Sequence, residues 1–478
     1  MLWSGIGKFG TLTLNFLSNL VLARLLLPSD YGAVGMLHVF IALSSVFVNA
    51  GFGSALIQKK NPTHLDYTSV FYWNLTASVV FYAALYFSGP AIARFYNMPE
   101  LCKILRVQSL GLIVVSFAHV QSNQLQKQLR FRELSMRTII ATLIGTVVSI
   151  TLALLGYGVW SLVYGNLVSS IASVFLLWWM SSWRPTREFS WQSLRELFSF
   201  GGLMALSSLV ETLYSNLQSL IIGKWYSAKD LGYYTQARKL EGIPTTALSQ
   251  IVGSVSFPVF SSLQDDKARL VGAVRRNIKA VTYINFPLMV LLIIIARPLI
   301  TLLYGAKWEP SIPFFQILCI FSMVYTLNTL NTNVIKSLGR SGVYFIVQIS
   351  KRILGIILFI LGARIGIYGL LWAVVLNGYI AVVINLFVNK RLIGYGFVEQ
   401  ISDVGGYYLL SIAVGVAVYF ACRWIPIHPY LLMLVEVVVY SGLYLLLSYW
   451  LKLDGFMTYL TIIKHRLSHE KTNSPANT

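Results

Sequence analysis

Apolar runs long enough to cross a bilayer recur along almost the whole chain. A helix needs about 20 apolar residues to span the hydrocarbon core. Fourteen stretches qualify: residues 3–27, 32–57, 69–93, 105–125, 136–157, 158–181, 197–223, 231–262, 280–304, 312–335, 343–363, 366–388, 405–424 and 429–451. The run at 231–262 holds Pro244 and Pro258, which predicts a kinked helix. The longest intervening stretches are 58–68, 182–196, 263–279 and 389–404, and the polar tail 465–478 is expected to be disordered. The apolar start is too long for a signal-peptide core and lacks a small-x-small cleavage site, so it reads as a retained first span. The pattern predicts an all-α integral membrane protein with about fourteen transmembrane helices.

Composition sharpens this. Of 478 residues, 56% are hydrophobic and 11% charged, and the mean hydropathy is +0.68. A soluble domain carries roughly 25% charged residues, so a water-soluble globule of this size is excluded. The 37 Lys and Arg against 17 Asp and Glu suit basic loops beside anionic lipid better than nucleic acid, which no element here is built to read. An even number of spans puts both termini on one side. The loops on that side, with residues such as Lys127, Arg130, Arg184, Arg275, Lys351 and Arg352, hold more than twice the cations of the opposite set, which includes Arg24, Lys103 and Lys224. The positive-inside rule then places both termini in the cytoplasm. Cys102, Cys319 and Cys422 are far apart and form neither a metal motif nor a disulfide framework. No cofactor or metal is expected.

The chain also matches itself at an offset of 200 residues. Arg24, Asp30 and Gly32 fall on Lys224, Asp230 and Gly232, and Gly53–Ser54 on Gly253–Ser254. Both matches lie at equivalent topological places. Six spans per repeat give both copies the same orientation, so they predict two parallel lobes around a central cavity. The expected division is 1–183 for the first six-helix lobe, 184–196 for an amphipathic cytoplasmic linker, 197–390 for the second lobe, 391–464 for two further helices and 465–478 for the tail. The segment 188–200 reads as an interfacial linker helix, with a gate as the alternative.

The same offset aligns polar positions within the spans. Lys8, Thr11, Asn15 and Ser18 share one helical face, as do Ser208, Glu211, Ser215 and Gln218. His38, Ser45 and Asn49 align with Arg238, Thr245 and Ser249, and Glu241 joins that face. Hydroxyl and amide residues often only bond neighbouring helices. Lys8, Arg238 and Lys239 are costlier to bury and favour an anion-binding cavity, with His38 drawn in by its alignment and Arg24 at the outer rim. Glu211 and Glu241 suit ion or proton coupling, although Arg238 and Glu241 also fit a structural i,i+3 pair.

At these residues a family resemblance emerges. The run VLARLLLPSDYGAVGM followed by NAGFGSALIQKK at 49–60, then SNLQSLIIGKWYSAKDLGYYTQARKL at 215–240 and SFPVFSSLQDD at 256–266, with the looser LLYGAKWEPSIPFFQIL at 302–318, resembles bacterial polysaccharide transporters. This is the Wzx-type branch (O-antigen and colanic-acid flippases) of the multidrug/oligosaccharidyl-lipid/polysaccharide (MOP) flippase superfamily, and the likeness covers about residues 1–390. It implies a monomeric flippase of the bacterial cytoplasmic membrane, not an enzyme. Such a protein moves undecaprenyl-diphosphate-linked oligosaccharide from the cytoplasmic to the periplasmic leaflet by alternating access, for lipopolysaccharide or capsule. Membrane lipids, and the polymerase and chain-length regulator of the pathway, are the implied partners. Cations in the cavity would offset desolvation of the diphosphate. Three rivals remain: a polysaccharide polymerase or ligase, which should bring a large periplasmic loop; a drug or cation antiporter of the same superfamily, which should favour acidic cavity residues; and a lipid II flippase.

Overall fold

In a computed structural model, residues 2–457 and 460 are described; the side chains of residues 2–4, 6, 8, 251 and 254 are not. The tail at 465–478 lies outside the described residues. Helices account for nearly all the rest, and no strand occurs among the described residues. In order they are α1 Leu2–Leu25, α2 Pro28–Asn49, α3 Phe52–Gln58, α4 His64–Phe95, α5 Glu100–Gln108, α6 Leu110–Lys127, α7 Phe131–Leu154, α8 Val159–Met180, α9 Trp191–Trp225, α10 Ala228–Ser262, α11 Lys267–Ile294, α12 Ala296–Tyr304, α13 Ile312–Ser337, α14 Ser341–Ile365, α15 Ile367–Ile393, α16 Phe397–Cys422 and α17 Pro429–Trp450. Every expected span is found as a helix or as a broken pair of helices. Thirteen spans are long and apolar enough to cross a membrane. The expected span outside that count is α1, whose face of Thr11, Asn15, Ser18 and Asn19 dilutes its apolar character.

Three expectations need correcting. The stretches 263–279 and 389–404 are largely helical, because α11 starts at Lys267 and α16 at Phe397. Their first turns are charged or polar, so hydropathy misses them, yet Asp266 caps α11 by accepting from Arg269 N at 3.0 Å and Glu399 caps α16 by accepting from Gly396 N at 3.0 Å. The segment 188–200 is not a separate helix: from Trp191 it forms the opening turns of α9, capped by Ser190. Lys351 and Arg352 are not loop cations but belong to α14. Pro244 and Pro258 both lie within the unbroken α10.

The chain forms two compact units, residues 1–235 and 236–478, which divide inside α10. In the first, α7 packs on α8 and α1, α2 on α9, and α4 on α6. Small residues set the α7–α8 approach: a Cβ on Gly145 would lie 2.8 Å from the Gly165 carbonyl, and one on Gly165 would overlap the Ser149 hydroxyl. In the second, α11 packs on α13 and α16, and α15 on α13 and α14. Gly362 and Gly369 bring α14 and α15 equally close.

The repeat has a physical cause at its best-matched residues. Asp30 accepts a hydrogen bond from Leu27 N at 2.9 Å at the start of α2, and Asp230 accepts from Ser227 N at 3.2 Å at the start of α10. Within the first unit these two helix starts cross. A Cβ on Gly32 would strike the Ala228 carbonyl, and one on Gly232 would strike the Pro28 carbonyl. Each contact is the image of the other under the 200-residue offset, as a local two-fold between the helix starts requires. The aspartates begin the helices and the glycines let them touch. Further on, Leu129 and Gly339 both take positive φ (59° and 67°) just past α6 and α13, equivalent places in the helix order although outside the 200-residue register.

This crossing yields a prediction. Ala in place of Gly gains up to about 1 kcal/mol of helix propensity, but at Gly32 or Gly232 it meets backbone that has no rotamer to move. Gly32→Ala and Gly232→Ala should each cost ~1–3 kcal/mol and lower the melting temperature of detergent-purified protein by fluorescence-detected gel filtration. Gly35→Ala, whose Cβ would meet Leu231 and Thr235 side chains at 3.4 and 3.6 Å, should be neutral or stabilising.

Candidate functional site

The polar positions singled out from sequence divide between the two units and between two kinds of surroundings. In the first unit, Thr11 is half-buried and donates to the Gly7 carbonyl at 2.7 Å, and Asn15 is exposed on the same face of α1. Lys8 lies in α1, but its side chain is outside the described residues. Arg24 is exposed in the last turn of α1. His38 of α2 is exposed, with a ring nitrogen 3.4 Å from Asn216 Oδ1 of α9. Asn216 is a partner the sequence reading passed over. Asn49 donates to the Ser45 carbonyl of its own helix at 3.0 Å.

On α9, Glu211 and Ser215 are exposed, and Ser215 donates to the Thr212 carbonyl at 3.2 Å. Gln218 differs: it is buried, and its Oε1 accepts from the Tyr234 hydroxyl of α10. That bond joins two helices of the first unit. In the second unit Arg238 and Lys239 are exposed on α10. Glu241 is only 5% exposed, and its Oε1 accepts from Thr245 Oγ1 at 2.7 Å and from Ser322 Oγ of α13. A carboxylate so buried is costly, and hydrogen bonds from Thr245 and Ser322 offset part of its desolvation. Arg24, Asn15, His38, Glu211 and Ser215 therefore form exposed polar surface on α1, α2 and α9, Arg238 and Lys239 on α10, while Gln218 and Glu241 are packed within their units.

Several remaining cations finish helices. Lys127 Nζ donates to the carbonyls of Leu56 at 3.1 Å, Ile57 at 3.0 Å and Lys59, closing the C-terminal end of α3. Arg184 donates to Ser181 and Trp178 carbonyls, each at 2.6 Å, at the end of α8. Lys59 lies 2.9 Å from Asp66 and 3.6 Å from Glu196. The hydrogen bond to Asp66 holds its ammonium above the usual lysine range. At the opposite ends of these helices Tyr96 donates to the Met36 carbonyl at 3.3 Å, and burial pushes its phenol up to about 12, so it stays a donor.

A second polar group, absent from the sequence reading, lies between α13, α14 and α15. Lys351 Nζ donates to Asn385 Oδ1 at 2.6 Å and Asn328 Oδ1 at 3.2 Å. Next to it Asn389 donates to Asn331 Oδ1 at 3.0 Å, and Asn331 to Gln400 Oε1 at 3.1 Å. The available signal was the position of Lys351 deep within an apolar run.

Such helices define a multi-pass membrane protein, with thirteen spans among the described residues long and apolar enough to cross a bilayer. The comparisons agree. The chain belongs to the polysaccharide biosynthesis protein family, whose model matches residues 21–313. It is 25% identical over 421 residues to the Escherichia coli lipopolysaccharide biosynthesis protein WzxC, covering 87% of this chain and 86% of that one. It is 28% identical over 345 residues to the succinoglycan biosynthesis transport protein ExoT of Rhizobium meliloti, covering 72% and 69%. The fold superposes on the lipid II flippase MurJ in an inward closed conformation with a TM-score of 0.79 at 17% identity, over 97% of this chain and 100% of that one. An inward-facing multidrug resistance MATE transporter of the MOP superfamily gives 0.61 at 17% identity, over 80% and 94%. The chain has the MOP flippase fold.

The Glu241 cluster can be tested by stability. Ser322→Ala combined with Thr245→Val strips both hydroxyl donors from a buried carboxylate and should cost ~1–3 kcal/mol, read as a lower melting temperature. Glu241→Gln keeps an oxygen acceptor for both and should melt close to wild type.

Proposed function

We propose that this protein is a flippase that moves an oligosaccharide repeat unit on undecaprenyl diphosphate from the cytoplasmic to the periplasmic leaflet of the bacterial inner membrane. The observation that carries this reading is similarity over 87% of the chain to a lipopolysaccharide biosynthesis protein and over 72% to a succinoglycan transport protein, on a fold whose solved relatives include a lipid II flippase. Both termini face the cytoplasm, on the charge bias of the loops. Lobes 1–183 and 197–390 alternate access to a central cavity. The work is translocation rather than catalysis, one chain at a time, upstream of the polymerase and chain-length regulator that use the product.

The exposed cations on the polar faces support an anionic headgroup. A diphosphate leaving water loses hydration worth several kcal/mol per charge, and Arg238 and Lys239, with Arg24 and Lys8, offset part of it. Glu211 on the exposed face favours a role near the sugar or a coupling ion. A drug antiporter is the weaker reading, because these faces carry cations alongside a single exposed acid.

Deleting the gene in a producing strain should leave undecaprenyl-linked single repeat units in the inner leaflet. Repeat units that reach the outer leaflet but stay unpolymerised would indicate a polymerase instead. Arg238→Glu, inserted at wild-type level, should reduce surface polysaccharide at least tenfold in the complemented strain, whereas Arg238→Lys should retain most of it.

A further inference from the structure

Lys351 is 5% exposed, at the eleventh position of the 25-residue helix α14. An ammonium so placed ordinarily needs a carboxylate. None is at hand: α13, α14 and α15 contain no Asp or Glu. Its partners are neutral amides, Asn385 Oδ1 at 2.6 Å and Asn328 Oδ1 at 3.2 Å. These oxygens are held toward it by the network. The Asn385 amide nitrogen is spent on Asn328 Oδ1 at 2.8 Å and Thr332 Oγ1 at 3.1 Å, so its oxygen is the end left to face the lysine.

The cage is not demanded by the fold. The eleventh position of α7, the counterpart of α14 in the repeat, is Ala141, which is also buried. There the position is filled by an apolar side chain. Nor is the cage built to fix one charge state. Two N–H donors satisfy two amide oxygens whether Nζ carries a proton or not. Without a counter-ion the charged form stays expensive, so small changes around the cage move the proton on or off. Asn328 is only half-buried, which leaves one side of the cage at the helix surface.

We propose that Lys351, in its cage of Asn328, Asn385 and Thr332, is the site at which this transporter loads and releases a coupling proton. The inference rests on the flippase reading and adds a coupling ion to it. The groups on the packed helices leave the assignment to Lys351. Along α13 the other titratable or charged residues are Cys319, Tyr325 and Lys336; along α15 they are Tyr368, Tyr379, Lys390 and Arg391; on α14 itself they are Tyr344, Arg352 and Arg364. None is a carboxylate. Lys336, Lys390 and Arg391 lie in the last turns of their helices, and Tyr379 is engaged with the Tyr408 hydroxyl at 3.2 Å.

The test separates the two charge states. Lys351→Gln and Lys351→Met remove the charge permanently. Lys351→Arg and Asn385→Asp fix it, the first by a group that does not deprotonate and the second by placing a carboxylate against the ammonium. A site that must alternate fails in both classes. Each class should lower surface polysaccharide at least tenfold in a strain lacking the chromosomal gene, at wild-type membrane level and with a melting temperature near wild type in at least one variant per class. Near-normal export by a folded variant of either class overturns the inference, because one fixed charge state would then suffice. If the wild-type gene itself fails to restore export, the flippase reading falls and this inference with it. Normal wild-type export with an active locked variant counts against the proton site alone.

Discussion

Hydrocarbon offers no hydrogen bonds, and every other feature of this chain follows from that. A polar side chain in a span must find a protein partner or face water. An unpaired charge at the centre of a transmembrane helix costs about 2.5–3.5 kcal/mol even on insertion-based scales. With 11% charged residues in 478, the chain spends few such groups, and their positions are informative. Some end helices, as Lys127 and Arg184 do. Some are held within a unit, as Glu241 and Lys351 are. Some form ion pairs, as Lys59 does with Asp66 and Arg275 with Asp403, and others, including Arg238, Lys239 and Glu211, are exposed.

Close helix approach is the second requirement, and glycine supplies it. Gly145 and Gly165 bring α7 against α8, and Gly362 and Gly369 bring α14 against α15. The crossing of α2 and α10 goes further, because its two contacts exchange under the repeat. A duplicated chain that meets itself at equivalent points reuses one solution, an aspartate cap followed two residues on by a glycine. That pairing gives the 200-residue match physical meaning at the residues where it is clearest.

What the sequence discloses and what it hides follow from range. The helical spans, the Asp30/Asp230 caps and the Gly32/Gly232 pair are legible because each depends on residues a few positions apart. Hydropathy misses the first turns of α11 and α16, which are charged yet helical and well capped. The apolar run 343–363 encloses Lys351, but the cage around it is not legible there, because its amide partners are 23 and 34 residues away in sequence. Gln218 shares its stripe with Glu211 and Ser215, and its bond to Tyr234, 16 residues on, is visible only in the fold. Periodicity identifies a polar face but does not tell whether that face meets water or another helix.

The central claim is translocation of a lipid-linked oligosaccharide. Its most direct measurement places purified full-length protein in liposomes with undecaprenyl-diphosphate oligosaccharide from the native strain and follows the fraction open to a membrane-impermeant glycan-oxidising reagent. The account predicts that the protected inner-leaflet fraction becomes accessible within minutes with the wild-type protein and far more slowly with Arg238→Glu. A protected fraction that stays constant with the wild-type protein would contradict it.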